Sequence, residues 1–170
     1  HRVDRRQRQM CIRDRTYSAL LLRRSYADLA LPGALMDRAK EWLMPTDARW
    51  KESSKTWTFP SGATLSFGYL EHTGDEYRYQ STEFQFIGFD ELTQFEEKQY
   101  RYMFSRLRRL SDSTAPLRMR TASNPGGIGH EWVRSRFIDE DPEESRRVFI
   151  SARLPDNPYL DQDAYVQSLD

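Results

Sequence analysis

Phe84-Gln85-Phe86-Ile87-Gly88-Phe89 is a nearly all-apolar run that meets two adjacent carboxylates, Asp90-Glu91, with no turn residue between them. Such a short, continuous run fits a strand buried on both faces. Strands of that kind belong to parallel sheets covered by helices, and those sheets bind ligands beyond the carboxyl ends of their strands. The two acids are therefore expected at the edge where chemistry occurs. The same residues also fit a core strand followed by a helix whose first turn accepts acids, because a helix N-terminus favours negative charge.

The rest of the chain supports an alternation of strands and helices. Thr16 to Leu22 predicts a strand that runs into Arg23-Arg24-Ser25-Tyr26. A helix should follow from about Leu29 or Pro32 to Leu43, with Ser25 or Asp28 as its cap. Lys55 to Gly68 alternates, with Trp57 and Phe59 on one face, a turn at Pro60-Ser61-Gly62, and Leu65 and Phe67 returning. That pattern predicts a hairpin. Glu71 to Gln80 is polar and reads as a loop with a helical turn. Phe95, Gln99, Tyr102, Met103, Leu107 and Leu110 recur at helical spacing, predicting a helix over Phe95 to Leu110 that stops at Ser111-Asp112-Ser113-Thr114. Leu117 to Ala122 predicts a strand leaving through Ser123-Asn124-Pro125-Gly126-Gly127 into a helix near Glu131 to Phe137. Val148 to Ala152 predicts a last strand, Asp161 to Leu169 a terminal helix, and Asp139 to Ser145 a local loop. Strands alternating with helices indicate an α/β layered fold with a mostly parallel sheet, here decorated by one antiparallel hairpin.

Length and composition suit one domain, or a piece of one, with a real core: 170 residues, 38% hydrophobic and 13% aromatic. Ala19 to Leu22 and Phe84 to Phe89 are too short to span a bilayer, so no membrane segment or signal peptide is expected and a cytoplasmic setting is the default. The formal charge is zero, but His1 to Arg15 stands apart, with six arginines and two acids. Such a run can be a basic nucleic-acid arm. Met10-Cys11-Ile12-Arg13-Asp14-Arg15, however, resembles the translation of a transposon adaptor used to prepare sequencing libraries, so residues 1–15 are expected to be non-native. Without them 20 basic residues face 24 acidic ones, a net charge of −4, and the single cysteine, Cys11, is lost. A cysteine-free body has neither disulfides nor a thiolate metal site. The histidines, at 1, 72 and 130, are too scattered for a His-rich cluster.

Several blocks, in order, resemble the ATPase domain of phage terminase large subunits over about residues 16 to 170. They are Ala19 to Leu29, Trp57 to Gly62, Tyr77-Arg78-Tyr79-Gln80, the strand ending in Asp90-Glu91, Ser123-Asn124-Pro125-Gly126, Gly129 to Val133 with Phe137-Ile138, and Asp156-Asn157-Pro158-Tyr159-Leu160. The resemblance implies a P-loop NTPase fold of the additional-strand, RecA-like type. It also implies ATP and Mg²⁺ as cofactors, double-stranded DNA as the cargo driven into a procapsid, and a separate nuclease domain. Portal protein, the small terminase subunit and a homo-oligomeric ring are the implied partners, and the cytoplasm of an infected bacterium the implied location.

By the same resemblance, Asp90 matches the acid that holds Mg²⁺ through its water shell, and Glu91 the acid that activates the attacking water. Ser123 and Asn124 match the coupling motif that senses the γ-phosphate. A hydroxyl and an amide suit sensing because they can bond phosphate oxygens or water without carrying charge. On residue chemistry alone, Asn-Pro-Gly-Gly is simply a strong turn. Arg23, Arg24 and Arg78 are candidates to stabilise the transferring phosphoryl group, since a planar and permanently charged guanidinium matches its oxygens. For each of them a solvated or salt-bridged role is the competing expectation. Arg106, Arg108 and Arg109 read as surface residues.

The pattern departs from the family in one respect. A phosphate-cradling Gly-x-x-x-x-Gly-Lys-Ser/Thr is absent: the four lysines are at 40, 51, 55 and 98, and none follows a glycine. That loop is expected before Thr16 and the nuclease after Leu160, so the chain reads as an ATPase-domain fragment truncated at both ends, one that hydrolyses no ATP alone. Two other readings stay open. One is a helicase-like or other P-loop translocase; the other is a non-catalytic binding module in which Asp90 and Glu91 merely cap a helix.

Overall fold

A computed structural model describes residues 17–108, 115–139 and 147–156. The chain divides into two compact units, His1–Val133 and Arg134–Asp170. The first carries a six-stranded sheet: β1 (Ser18–Arg23), β2 (Arg49–Lys51), β3 (Thr56–Thr58), β4 (Thr64–Tyr69), β5 (Phe86–Asp90) and β6 (Arg118–Ala122), in the spatial order β2-β3-β4-β1-β5-β6. Strands β4, β1, β5 and β6 are mutually parallel, and β3 and β2 extend the sheet by antiparallel pairing.

The alternation along β1 and β5 divides their side chains between two layers. Leu20 lies opposite Ile87 and Leu22 opposite Phe89, and all four are nearly inaccessible. Each such side chain contributes about 1.5–3 kcal/mol by leaving water. Phe89 meets the Phe95 ring edge-on, with centroids 5.0 Å apart, and the Tyr100 ring at 5.6 Å. Elsewhere Leu29, Met36, Ala39, Trp57 and Phe67 form a second cluster, with Trp50 tilted against Trp57 at 5.2 Å.

The described residues contain four α-helices: α1 (Tyr26–Ala30), α2 (Leu35–Leu43), α3 (Glu97–Phe104) and α4 (His130–Phe137). The region expected as one helix up to Leu43 is thus two. Ser25 caps α1 by accepting the Asp28 N–H at 3.1 Å. The chain then breaks at Pro32-Gly33, where Gly33 takes a left-handed φ of 76°, because proline cannot donate to a continuing helix. The hairpin forms as expected, and Gly62 (φ 92°) closes its turn by donating to the Phe59 carbonyl at 2.8 Å. β2 went unpredicted: Arg49-Trp50-Lys51 is too short to show alternation, and it is held by antiparallel pairing to β3.

The helix expected over Phe95 to Leu110 occupies only Glu97–Phe104. Glu96 caps it with a reciprocal capping box to Gln99, which satisfies two otherwise orphaned N–H groups. After Ser105 the chain turns, and Phe84 exchanges backbone hydrogen bonds with Arg106 and Arg108 at 3.0 and 3.1 Å. Leu107 therefore lies beside Phe84 in an isolated parallel bridge. Its helical spacing was overruled by that backbone pairing.

The polar Glu71 to Gln80 segment contains a 3₁₀ helix, Asp75–Tyr79. The Asp75 carboxylate accepts the N–H groups of Glu71 and His72, both at 2.9 Å, which holds its pKa below the usual value, His72 contributing most. Within the second unit, Arg134 pairs with Asp139 at 3.4 Å and the Arg153 N–H donates to Asp156 at 2.7 Å. The strand expected at Val148 to Ala152 is not formed among the described residues: no ladder partner engages it, and Val148, Phe149 and Ile150 are exposed. Leu110, the Asp161 to Leu169 helix and most of the loop from Asp139 to Ser145 lie outside the described residues. Among those described, no helix is long and apolar enough to cross a membrane.

Candidate functional site

β5 delivers Asp90 to the carboxyl edge of the parallel strands, and the chain then reverses sharply. Glu91 adopts a left-handed backbone, φ 57° and ψ 57°, an uncommon state for a residue with a Cβ. A 3₁₀ turn, Leu92–Gln94, follows, with the Gln94 N–H donating to the Glu91 carbonyl at 2.9 Å. Neither acid caps α3, which begins later and is capped by Glu96. Glu91 does stand at the N-cap position of the 3₁₀ turn, but its side chain makes no cap bond there, so the helix-cap reading of Asp90-Glu91 is not favoured.

Asp90 pairs with Arg23 from the end of β1, Nε to Oδ2 at 2.7 Å, and both side chains are partly exposed. The contact is an ion pair without hydrogen-bond alignment, since the Arg23 Nε–H points at no acceptor. The neighbouring strand β6 brings Ser123 and Asn124 to the same edge, and the Asn124 N–H lies 3.4 Å from Glu91 Oε2. Asp90, Glu91, Arg23, Ser123 and Asn124 thus converge from three adjacent parallel strands.

Arg24 and Arg78 do not join them through the bonds they form. Arg24 Nη1 donates to the Leu70 carbonyl at 2.8 Å and to Gln99 Oε1 at 3.0 Å, tying the exit of β4 to α3. Gln99, wholly buried, also donates to the carbonyls of Leu70 and His72. Arg78 lies over the Tyr69 ring at 4.6 Å and pairs with Asp75 at 3.0 Å. Its burial opposes the charge most, but the interaction with Tyr69 and the charge of Asp75 outweigh it and hold its pKa above the ordinary value.

The convergence depends on residues that the motif reading did not single out. Thr93 N–H and Oγ1 contact Ser123 Oγ at 3.1 and 2.8 Å, and Oγ1 donates to the Asn124 carbonyl at 3.0 Å. The Thr93 carbonyl accepts the Gly129 N–H at 2.7 Å. Trp132 Nε1 donates to the Phe95 carbonyl at 2.9 Å, and its ring lies 5.4 Å from that of Tyr100. Gly127 and Gly129 permit this approach: a Cβ at Gly127 would sit 2.6 Å from the Thr93 carbonyl oxygen, and one at Gly129 would sit 2.5 Å from that of Phe95. The density of glycine in Gly126-Gly127-Ile128-Gly129 was the available signal, since glycines beyond a turn allow close backbone approach.

A pocket of about 450 Å³ lies along β1 and α2, lined mostly by apolar side chains such as Leu21, Leu35, Trp42 and Leu65. It reaches the acidic edge only through Arg23 and Asp90; Glu91, Ser123 and Asn124 do not line it. Its chemistry does not suit phosphate. Among the described residues no group of three or more His, Cys, Asp or Glu side chains could hold a metal together. A single strand-end carboxylate still fits magnesium, which keeps several waters and binds through one or two carboxylates together with substrate phosphates.

A mostly parallel sheet flanked by helices, with two strand-end acids beside a Ser-Asn turn on the adjacent strand, defines a layered α/β protein. The model of the phage terminase large subunit family matches residues 35–170, and the chain belongs to that family. In fold the chain is similar to the large terminase from a thermophilic bacteriophage, solved in its second crystal form, with a TM-score of 0.67 and 16% identity. That alignment covers 91% of this chain and 37% of the other, so the chain spans well under half the length of the solved relative. No curated protein sequence matches the chain.

Proposed function

We propose that this chain is the core of a terminase motor domain, in which ATP hydrolysis drives double-stranded viral DNA into a procapsid. The observation that carries the reading is the meeting of Glu91 and Asn124 at the carboxyl edge of the parallel strands. Asp90 is positioned to hold Mg²⁺ through water, and the bound ion would neutralise charge on the phosphates. Glu91 accepts the proton of the attacking water, a role that requires a carboxylate within reach of that water. Ser123 and Asn124 sense the γ-phosphate and relay its loss.

Arg23 is the phosphate-stabilising candidate best placed for the task, because it already stands beside Asp90. Arg24 and Arg78 would have to give up the contacts described above to reach phosphate. The phosphate-cradling Gly-Lys-Ser/Thr loop and the nuclease would be supplied by sequence outside these 170 residues. Partners follow from the family: DNA, a portal, a small subunit and a ring of large subunits in the cytoplasm of an infected bacterium.

The test is ATP turnover by the longer large subunit that includes this domain. Glu91→Gln should lower kcat by about 10²–10⁴-fold, the range for loss of a positioned general base, while nucleotide binding persists. The 170-residue chain alone should show no turnover. Wild-type turnover by the Glu91→Gln protein would refute the assignment.

A further inference from the structure

We propose that Thr93 is a positioning residue of the hydrolytic centre, fixing the Glu91 turn to the Ser123-Asn124 turn so that neither moves without the other. This rests on the reading of Glu91 as the base. Thr93 is only 5% exposed and lies two residues beyond Glu91, inside the Leu92–Gln94 turn. Glu91 itself reaches the opposite turn through one long contact, 3.4 Å from the Asn124 N–H. Thr93 reaches it with its amide and hydroxyl, at 2.8–3.1 Å.

The hydroxyls are shared in a closed set. Thr93 Oγ1 and Ser123 Oγ are 2.8 Å apart, and each lies within 3.1 Å of the Asn124 carbonyl oxygen. Each hydroxyl has one proton to donate. Either proton can serve the Asn124 carbonyl while the other bridges the two hydroxyls, so the connection survives a swap of donors. The Thr93 carbonyl continues the link to Gly129, one residue before α4, and Gly127 has no Cβ to hold the backbones apart. A change felt at Ser123 or Asn124 is thereby transmitted to the turn that aims Glu91. Aim matters, because a misplacement of about 1 Å can cost about 100-fold in rate.

The experiment uses the longer large subunit and compares Thr93→Val, Thr93→Ser, Ser123→Ala and Glu91→Gln by kcat and KM for ATP. Valine keeps the branched shape and removes the hydroxyl, whereas serine keeps the hydroxyl and removes the methyl. Thr93→Val should lose about 10–100-fold in kcat with KM within about 2-fold, and Thr93→Ser should stay within about 3-fold of wild type. Ser123→Ala should lose a similar factor, and the Thr93→Val/Ser123→Ala double variant no more than the worse single, as expected of residues acting as a unit.

A packing role reverses the order, with valine tolerated and serine impaired, and that result overturns the proposal. If Thr93→Val does not fold, wild-type kcat in Ser123→Ala overturns it instead. Inactive Glu91→Gln alongside unimpaired Thr93→Val refutes the positioning role alone, whereas active Glu91→Gln refutes the underlying site.

Discussion

Replacing Gly127 by alanine should destabilise the first unit by an amount that separates into two parts, a conformational cost and a packing cost. Gly127 has φ 82°, and a left-handed backbone costs an L-residue about 1–2 kcal/mol. Its new Cβ would also fall 2.6 Å from the Thr93 carbonyl oxygen and 3.2 Å from the carbonyl carbon. Both are backbone atoms held by the 3₁₀ turn, so the neighbour cannot rotate away, and overpacking of this kind costs about 1–3 kcal/mol. Gly126 provides an internal control. It has φ 105°, and a Cβ there meets nothing within 4 Å. Gly126→Ala therefore carries the conformational part without the packing part.

The assay is urea unfolding of Gly126→Ala and Gly127→Ala side by side, with the slope checked for constancy. With a slope of about 2 kcal/mol/M, the packing term should place the Gly127→Ala midpoint roughly 0.5–1.5 M below that of Gly126→Ala. Equal midpoints would show that the loop after β6 is not pressed against the Glu91 turn. The close approach that underlies the site would then be refuted.

Other outcomes follow from contacts away from the acids. Burial is the largest influence on Tyr79 and pushes its phenol up to about 12 from an ordinary 10.0. A folded pKa above the unfolded one gives stability that is complete below about pH 10 and is lost as pH rises towards about 12, amounting to about 3 kcal/mol; Tyr79→Phe should remove that part of the alkaline loss in urea titrations between those pH values, and an unchanged slope would refute it. Arg24→Ala should cost about 1.5–3 kcal/mol by stripping charge-assisted bonds from Leu70 and buried Gln99, whereas Arg78→Ala, which removes a half-exposed ion pair, should cost about 0–1 kcal/mol. The reverse ranking in thermal melts would contradict the structural role given to Arg24.

Much of the architecture was legible because its signals are local. The run from Phe84 to Phe89 needs both layers of a parallel sheet to bury it, and that need alone placed Asp90-Glu91 at the carboxyl edge. Pro60-Ser61-Gly62 between alternating segments specified a hairpin, whereas the sequence left Ser25 and Asp28 both open as helix caps and only the structure selects Ser25. Leu107 misled because helical spacing says nothing of a competing backbone partner, which Phe84 supplies. Arg23 and Arg24 are adjacent in sequence and chemically identical, yet one faces Asp90 and the other Leu70 and Gln99. The alternation of a strand end separates them, and only the surrounding strands decide which partner each finds.

The sequence by itself determined that the two acids end a buried strand and that a glycine-rich turn ends another. Tertiary structure decided that these ends are neighbours: β5 pairs with β6 in parallel and in register from Phe86 and Arg118 to Asp90 and Ala122, which brings Glu91 level with Ser123 and its carboxylate within reach of the Asn124 N–H. It also decided that Thr93, unremarkable in the sequence, joins them. Hydrogen bonds spanning 30 residues of chain have no local signature, because the partner of a hydroxyl is chosen by the packing of strands rather than by its neighbours in sequence.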